Sequence, residues 1–293
     1  MRTLKLSYLL PFAALLLLGL LVVGVFYKQN FEPGITFPSL GDLANTLDCR
    51  DIDREKLVVI LAVGQSIAAN FGSTPYTPGP GVYSFYNGRC FPGHDPLPGA
   101  EGDGGSIWSR LGDLMIQRGL AKRVLLVAVG AGGSSVSEWV PDARLYPRLL
   151  DATSSLKAIG LKPDVVIWFQ GSRDKSMDPA RYLSYLREFI YSLPFLGIQL
   201  GQPTRLMVAT HTRCQSVAVP GLQAAQRSVV DPGEFIFAGP TMDVLEDDVK
   251  YDGCHYNERG LSLAAKMWLS AMEGVLPIIS ALPLDAGSAV AKP

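Results

Sequence analysis

The chain has 293 residues, of which 48% are hydrophobic, so it is long enough and apolar enough to bury a large core. Its net charge of −1 and its scattered basic residues give no electrostatic reason to expect nucleic-acid binding. The 30 glycines and 21 prolines indicate many loops, whereas the high apolar fraction argues against a disordered chain.

The N-terminal segment, residues 1–27, is predicted to be an uncleaved, single-pass membrane anchor. Arg2 and Lys5 precede an apolar run from about Leu6 to Tyr27, and roughly 20 apolar residues suffice for a helix to cross the hydrocarbon core. A signal peptide and a buried core helix are the alternatives, but the run is long, has no good cleavage site and has no polar face. The positive charge on the N-terminal side of this run predicts that the N-terminus is cytoplasmic and that the rest of the chain is extracytoplasmic (periplasmic or extracellular).

Residues 28–55 are predicted to be a linker with a short helix over 40–47, residues 56–280 the folded domain, and residues 281–293 a C-terminal tail. The domain begins with Leu57 to Val63, an apolar run rich in β-branched residues that is typical of a strand buried on both faces. Gly64-Gln65-Ser66 follows at its carboxyl end, where ligands bind in open α/β sheets. Ser66 is therefore the candidate nucleophile.

The rest of the domain alternates between predicted helices and strands. Residues 71–105 are rich in glycine and proline and too long for an ordinary connection, so we expect them to form one wall of a site. Ser106 and Asn257 are predicted helix caps. The predicted elements are helix 106–120, strand 123–129, helix 142–160, strand 164–169, helix 180–193, strand 205–210, strand 234–238 and helix 257–275.

This alternation predicts an α/β fold with a central parallel sheet and right-handed crossovers. The first three strands are followed by small polar clusters, which are Gly64-Gln65-Ser66, Gly130 to Ser135, and Gln170-Gly171-Ser172. Because parallel strands end at the same edge of a sheet, we expect the clusters to converge there.

A serine hydroxyl is a weak nucleophile that needs a base, normally histidine, and a third group to hold the imidazole ring. His255 lies just before the last helix, with Asp252 three residues ahead of it. One loop could thus direct both side chains toward Ser66. His211, after the fourth strand, is a candidate substrate contact, and His94 lies in the long loop. A structural role is the alternative for each histidine.

The cysteines Cys49, Cys90, Cys214 and Cys254 would lie in a compartment where disulfides persist. Several pairings are possible, and we predict Cys214 with Cys254 because both follow predicted strands on the same edge of the sheet. Buried free thiols are the alternative. No cluster of cysteine and histidine suggests a metal site.

An acyl-transfer site also needs hydrogen-bond donors for the developing oxyanion. The candidates are the backbone N–H groups of Ser66 and of Gly132 or Gly133, and the side-chain amide of Gln170. The glycine-rich stretch could instead be an ordinary loop. Its spacing matches neither the dinucleotide fingerprint nor the P-loop, so a phosphate site is not expected.

Four sequence blocks resemble those of the SGNH (GDSL-like) hydrolase superfamily, most closely its sialate O-acetylesterase-like carbohydrate esterase branch. They are GQS after the first strand, GGSSVSEW after the second, WFQGSRD after the third and DGCH before the last helix. The blocks keep the family order across residues 57–275. The resemblance implies a flavodoxin-like three-layer α/β/α sandwich and hydrolysis of ester-linked acyl groups, often acetyl groups on sugars. It implies no metal or organic cofactor.

By position, the resemblance implies that Ser66 is the nucleophile, His255 the base and Asp252 its partner. It also implies that Gly133, or Gly132, and Gln170 complete the oxyanion hole with Ser66.

Two positions depart from the family pattern. Ile67 stands where the family usually has asparagine, and Ser172 stands where it has glutamate. Arg173 and Asp174 could compensate for the missing carboxylate, or they could form only a surface pair.

These observations predict a membrane-anchored, extracytoplasmic serine esterase that removes O-acetyl or other short acyl groups from a carbohydrate through an acyl-serine intermediate. A polysaccharide O-acyltransferase with the same triad and a non-catalytic glycan-binding domain are the alternatives. Gln65, Trp139 and His211 are predicted to contact the substrate, with Trp139 suited to stack on a sugar ring. The expected partners are an acylated glycan or other small ester and the membrane, and no nucleic acid; the oligomeric state is left open.

Overall fold

The computed structural model describes residues 34–201, 203–215 and 217–276, and a seven-stranded sheet lies at its centre. The strands are β1 (Leu57–Gly64), β2 (Val82–Tyr86), β3 (Arg89–Pro92), β4 (Arg123–Ala128), β5 (Val165–Phe169), β6 (Arg205–Thr210) and β7 (Ile236–Thr241). Their order across the sheet is β3-β2-β4-β1-β5-β6-β7. The hairpin partner β3 is antiparallel to β2, and the other neighbours pair in parallel. The α/β class is therefore as predicted, and the predicted parallel sheet is observed except at β3, which is antiparallel.

The central strand β1 marks the point where the strand order reverses. It pairs with β4 on one side, with Ile60 opposite Leu126, and with β5 on the other, with Ile60 opposite Val165. The chain builds β2 and β4 on the first side and β5 to β7 on the second. In open α/β sheets the crevice at such a reversal is the usual ligand site, and Ser66 directly follows β1.

Helices cover both faces of the sheet. They are α1 (Leu40–Ala44), α2 (Ile107–Gln117), α3 (Tyr146–Ala158), α4 (Pro179–Ser192), α5 (Pro220–Ser228) and α6 (Glu258–Glu273). Trp108 of α2 and Trp268 of α6 belong to the core on one face, and Leu149 of α3 and Phe189 of α4 to the core on the other. Alternate residues of β1 enter the two cores, which explains why its sequence is apolar throughout.

The predicted helix caps are confirmed. The Ser106 hydroxyl accepts from the backbone N–H of Trp108 and Ser109 at the start of α2. The Asn257 side chain accepts from the N–H of Gly260 at the start of α6. Both caps satisfy donors that the first helical turn leaves without a partner.

Three elements were not predicted, two strands and one helix. The stretch 71–105, expected to be a loop, contains the hairpin of β2 and β3, and α5 follows β6. The hairpin turns at Asn87-Gly88, with φ of +48° and +78°. An Asn-Gly turn between two strands is a strong hairpin signal, which the surrounding glycines and prolines obscured. Helix α5 has only 9 residues, so its apolar pattern is short.

No helix in the described ranges is long and apolar enough to cross a membrane. The predicted anchor, residues 1–27, and the predicted tail, residues 281–293, lie outside the described residues. Within the predicted linker, α1 confirms the short helix expected there.

All four cysteines are paired. The predicted Cys214–Cys254 disulfide is confirmed, and Cys49 bonds to Cys90 of β3. The residues of each pair are 40 and 41 positions apart, respectively, in the sequence. In the chain-entropy account, disulfides that close loops of similar length restrict the unfolded chain to a similar extent.

We therefore expect the paired substitutions Cys49→Ala/Cys90→Ala and Cys214→Ala/Cys254→Ala to destabilise the protein equally. Each should lower the free energy of unfolding by about 4 kcal/mol. Urea unfolding of the two variants beside the unaltered chain measures this. A large difference between them would show that contacts in the folded state, rather than loop length, set the contribution of each disulfide.

Candidate active site

Ser66 is held on a tight turn at the end of β1. Gly64 has a φ of +149°, and a Cβ at this position would overlap the carbonyl oxygen of Phe169 on β5. After Gln65, residues Ser66–Ala68 form a 3-10 turn, and the indole N–H of Trp108 donates to the carbonyl of Ala68 over 2.7 Å. The close approach that only glycine allows and the buried tryptophan together fix the turn that carries Ser66.

The side chains of Ser66, His255 and Asp252 form a continuous hydrogen-bonded chain. His255 Nδ1 lies 2.6 Å from Asp252 Oδ2, and His255 Nε2 lies 2.8 Å from Ser66 Oγ. An ionised carboxylate only accepts hydrogen bonds, so Nδ1 carries the proton and donates to Asp252. Nε2 of the neutral ring is then left to accept from the Ser66 hydroxyl. The structure thus brings the three residues together in the order that activates a serine.

Asp252 also shapes the loop on which it lies. Its Oδ1 accepts from the backbone N–H of Cys254 over 2.9 Å and from that of His255 over 2.7 Å. Partial burial opposes ionisation, but the hydrogen bonds from His255 and Cys254 outweigh it and lower the pKa of Asp252. The carboxylate is therefore charged at neutral pH, as the hydrogen-bonding scheme requires.

Two aromatic rings flank the imidazole of His255, and neither was predicted as a site residue. The rings of Phe71 and Tyr251 are nearly parallel to it, with centroid distances of 5.4 and 6.1 Å. The Tyr251 hydroxyl donates to the carbonyl of Phe71 over 3.1 Å, and Tyr251 is 53% exposed. The only sequence signal for Tyr251 was its position next to Asp252.

A small, shallow depression lined mostly by apolar residues lies beside Ser66 and His255. Its walls include Phe71, Gly72 and Gly105 from the long stretch 71–105, which confirms the expectation that this stretch forms one wall. Ile67, one of the two departures from the family pattern, also lines it. The isoleucine thus makes apolar a wall that asparagine would make polar.

The expected oxyanion donors differ in how they are engaged. The N–H of Gly132 donates to Glu101 Oε2 over 2.7 Å. The Gln170 amide nitrogen donates to the Ser134 carbonyl over 3.0 Å and to Asp174 Oδ2 over 2.7 Å. Both groups are therefore occupied by acceptors within the protein.

The backbone N–H groups of Ser66 and Gly133 have no acceptor among the described residues. Gly133 has a φ of +62°, and nothing lies within 4 Å of where its Cβ would be. Of the expected oxyanion donors, these two N–H groups are therefore the ones that no acceptor in the described residues occupies.

The structure contradicts the three predicted substrate contacts. Trp139 is fully buried, packs edge-on against Trp168, and donates its indole N–H to Ser134 Oγ over 3.0 Å. Its apolar ring belongs to the core behind the sheet edge, so it cannot stack on a sugar. His211 is also buried, with its Nδ1 3.2 Å from Asp243 Oδ1.

Gln65 is turned away from the substrate side and braces the turn after β5. Its amide nitrogen donates to Ser172 Oγ over 2.7 Å, and its oxygen accepts from the N–H groups of Gly171 and Arg173 over 3.0 and 3.2 Å. Ser172, which stands where the family usually has glutamate, therefore supplies the hydroxyl that accepts from the Gln65 amide. Asp174 is buried and accepts from the N–H of Val136 over 2.7 Å, so it is a structural carboxylate.

The chain is similar to known carbohydrate esterases. A family model described as "carbohydrate esterase, sialic acid-specific acetylesterase" matches residues 108–268, more than half of the chain. The chain belongs to this carbohydrate esterase family. The predicted resemblance to the SGNH superfamily and its sialate O-acetylesterase-like branch is therefore confirmed, and the protein is a carboxylic ester hydrolase. The matched region contains Gln170, Asp252 and His255, whereas Ser66 lies upstream of it.

Solved structures share the fold of this esterase. A protein from Arabidopsis thaliana superimposes with a TM-score of 0.63 at 17% identity, over 76% of this chain and 99% of its own. NanS superimposes with a TM-score of 0.53 at 12% identity, over 76% of this chain and 98% of its own. A search of curated protein sequences gives no significant match.

The close contact at Gly64 generates a prediction. Gly64→Ala should lower the free energy of unfolding by roughly 3 kcal/mol, because the added methyl overlaps the Phe169 carbonyl and forces β1 and β5 apart. Gly119→Ala is the matched control: it also has a positive φ, +71°, but nothing lies within 4 Å of its Cβ position. The control should lose only about 1 kcal/mol. If urea unfolding shows that both variants lose the same free energy of unfolding, the overlap with the Phe169 carbonyl does not explain why glycine stands at position 64.

Proposed function

We propose that this esterase removes O-acetyl or other short acyl groups from a carbohydrate through an acyl-enzyme intermediate on Ser66. The observation that carries the proposal is the hydrogen-bonded chain from Asp252 through His255 to Ser66 Oγ, with distances of 2.6 and 2.8 Å. Serine, imidazole and carboxylate in this order are the groups that nucleophilic acyl transfer requires.

In the first half of the reaction, His255 Nε2 takes the proton of Ser66 as Oγ attacks the carbonyl carbon of the ester. The carbonyl oxygen becomes an oxyanion, and the N–H groups of Ser66 and Gly133 are the donors proposed to stabilise it. Asp252 stabilises the imidazolium that forms. The tetrahedral intermediate then collapses, and His255 returns its proton to the departing sugar oxygen.

In the second half, water replaces the sugar. His255 removes a proton from the water, whose oxygen attacks the acyl carbon on Ser66. Collapse of the second tetrahedral intermediate releases the carboxylic acid, and the proton on His255 returns to Ser66 Oγ. Both halves use the same base and the same oxyanion donors, so one site suffices.

The small apolar depression supports a short acyl group. Ile67, Phe71, Ile107 and Leu261 contribute apolar walls to this shallow depression beside Ser66 and His255. The methyl of an acetyl group on Ser66 would contact these apolar walls. Tyr251, exposed next to His255, is the proposed ring on which the sugar stacks.

We also propose that the protein is anchored in a membrane by residues 1–27 and acts outside the cytoplasm. The apolar run near the N-terminus supports the anchor. The pairing of all four cysteines supports an oxidising compartment. Protease treatment of cells before and after any outer envelope is opened tests both points. A domain that lies outside the cytoplasmic membrane is protected from the protease by an intact outer envelope and is degraded once that envelope is opened.

Ser66→Ala tests the proposed mechanism. We expect the variant to lose essentially all release of acetate from acetylated sugars, because no other group forms the acyl-enzyme. The unaltered protein should react with a serine-directed fluorophosphonate, and mass spectrometry should find the label on Ser66. Acetate release by Ser66→Ala at the original rate would remove the mechanism.

Asp252→Asn should lower kcat by roughly 10,000-fold, the loss expected when the imidazole is held in the wrong tautomer. The asparagine oxygen can still accept from the N–H groups of Cys254 and His255, so the loop can keep its shape. Asp248→Asn, which removes an exposed ion pair with Arg259, is the control and should keep its activity. Similar kcat values for the two variants would contradict the role of Asp252.

Tyr251→Ala should raise KM for an acetylated sugar roughly 3- to 10-fold, because a ring contact of about 1 kcal/mol is lost. Tyr251→Phe keeps the ring and should keep the KM. Methyl acetate, which has no sugar ring, should be hydrolysed equally by both variants. A KM for the sugar ester that does not change in Tyr251→Ala would assign sugar binding to another surface.

A further inference from the structure

The loop that carries Asp252 and His255 lies at the surface. The side chain of Asp252 is 35% exposed and that of His255 is 18% exposed, whereas Ser66 is only 6% exposed. Burial fixes the position of Ser66 at the end of the sheet, but it contributes much less to fixing this loop. The hydrogen bond between His255 and Ser66 therefore needs another source of rigidity on the histidine side.

The segment that follows β6 supplies three links to this loop. Cys214 forms its disulfide with Cys254, the residue directly before His255. The backbone N–H of Gln215 donates to the Gly253 carbonyl over 2.8 Å. The Gln215 side-chain amide donates to the Asp252 carbonyl over 3.1 Å. All three links fall between Asp252 and His255 or on Asp252 itself.

The same segment is fixed at its other end by a buried carboxylate. Asp243 accepts from the N–H and the hydroxyl of Thr212 over 2.9 and 2.6 Å, and from the N–H of Arg213 over 2.9 Å. Burial opposes ionisation of Asp243, but the neighbouring His211 and the hydrogen bonds from Thr212 outweigh it and hold its pKa below the usual range. The charged carboxylate thus clamps the chain directly before Cys214.

We infer that the Cys214–Cys254 disulfide is a positioning element, which transmits the rigidity of the buried Asp243 clamp to the exposed loop holding Asp252 and His255. This inference rests on the proposed function, since it assigns to the disulfide the alignment of the proposed base and its partner. Small misplacements of catalytic groups cost rate rather than binding. Breaking the disulfide should therefore lower kcat and leave KM nearly unchanged.

The second disulfide provides a matched control within the same chain. Cys49–Cys90 is separated by 41 residues and Cys214–Cys254 by 40, so loop closure stabilises the fold to the same extent in both cases. Cys49–Cys90 joins the segment before β1 to the edge strand β3. It touches none of the groups proposed for catalysis.

The experiment compares Cys214→Ala/Cys254→Ala with Cys49→Ala/Cys90→Ala, each in the full chain and well below its unfolding temperature. With an acetylated sugar, the first variant should lose roughly 10- to 100-fold in kcat with KM within about twofold, whereas the second should keep the kcat of the unaltered protein. The low-field NMR signal of the His255 proton on Nδ1 should weaken only in the first. Equal kcat and equal NMR signals in the two variants would overturn the inference.

Reduction of the folded protein gives a second test that does not depend on refolding a variant. A limiting amount of dithiothreitol should reduce Cys214–Cys254, in which Cys214 is only partly buried, before the fully buried Cys49–Cys90; the reagent is oxidised to its cyclic disulfide as two protein thiols form. The loss of kcat should follow the alkylation of Cys214 and Cys254 and reverse on reoxidation. Full activity after complete alkylation of this pair would overturn the inference.

The outcomes separate this inference from the proposed function. An unaltered protein without Ser66-dependent hydrolysis would remove the proposed function. The NMR comparison would still decide whether the disulfide aligns His255, because it observes the Asp252–His255 hydrogen bond directly.

Discussion

The hydrogen bond between Ser66 and His255 joins residues that are 189 positions apart, and the proposed activity depends on that contact. One partner follows the central strand and the other precedes the last helix. The two meet because the strand order reverses at β1, which leaves a crevice at the carboxyl ends of its neighbours. The Gly64 contact fixes the serine from the core side. The loop between β7 and α6 brings the histidine from the surface side.

Much of this arrangement could be predicted from the sequence because it depends on local patterns. The run Leu57 to Val63 is apolar on both faces, which identified the central strand. Ser66 follows a strand and the Asp252–His255 pair precedes a helix. Functional residues are common at such positions of an α/β fold. The Cys214–Cys254 pairing also followed from two segments ending at the same edge.

The site predictions that the structure does not support concern side chains whose orientation is set by packing. Trp139 follows a glycine-rich loop and could face either the substrate or the core; the ring of Trp168 and the hydroxyl of Ser134 draw it inward. Gln65 and Gln170 stand at polar strand ends, but their amides satisfy donors and acceptors of neighbouring loops. Buried backbone groups must find partners, and in this fold side-chain amides at the sheet edge supply them.

The edge of the sheet at β3 has a consequence for how copies of the protein behave toward one another. An open strand edge is a template for pairing with another chain. Here the exposed side of β3 is occupied by Leu47, whose N–H donates to the Cys90 carbonyl over 2.8 Å and whose carbonyl accepts from the Cys90 N–H over 3.3 Å. The Cys49–Cys90 disulfide keeps this short segment in place. Because the disulfide holds the segment of Leu47 against this edge, less of β3 is open to pairing with another chain.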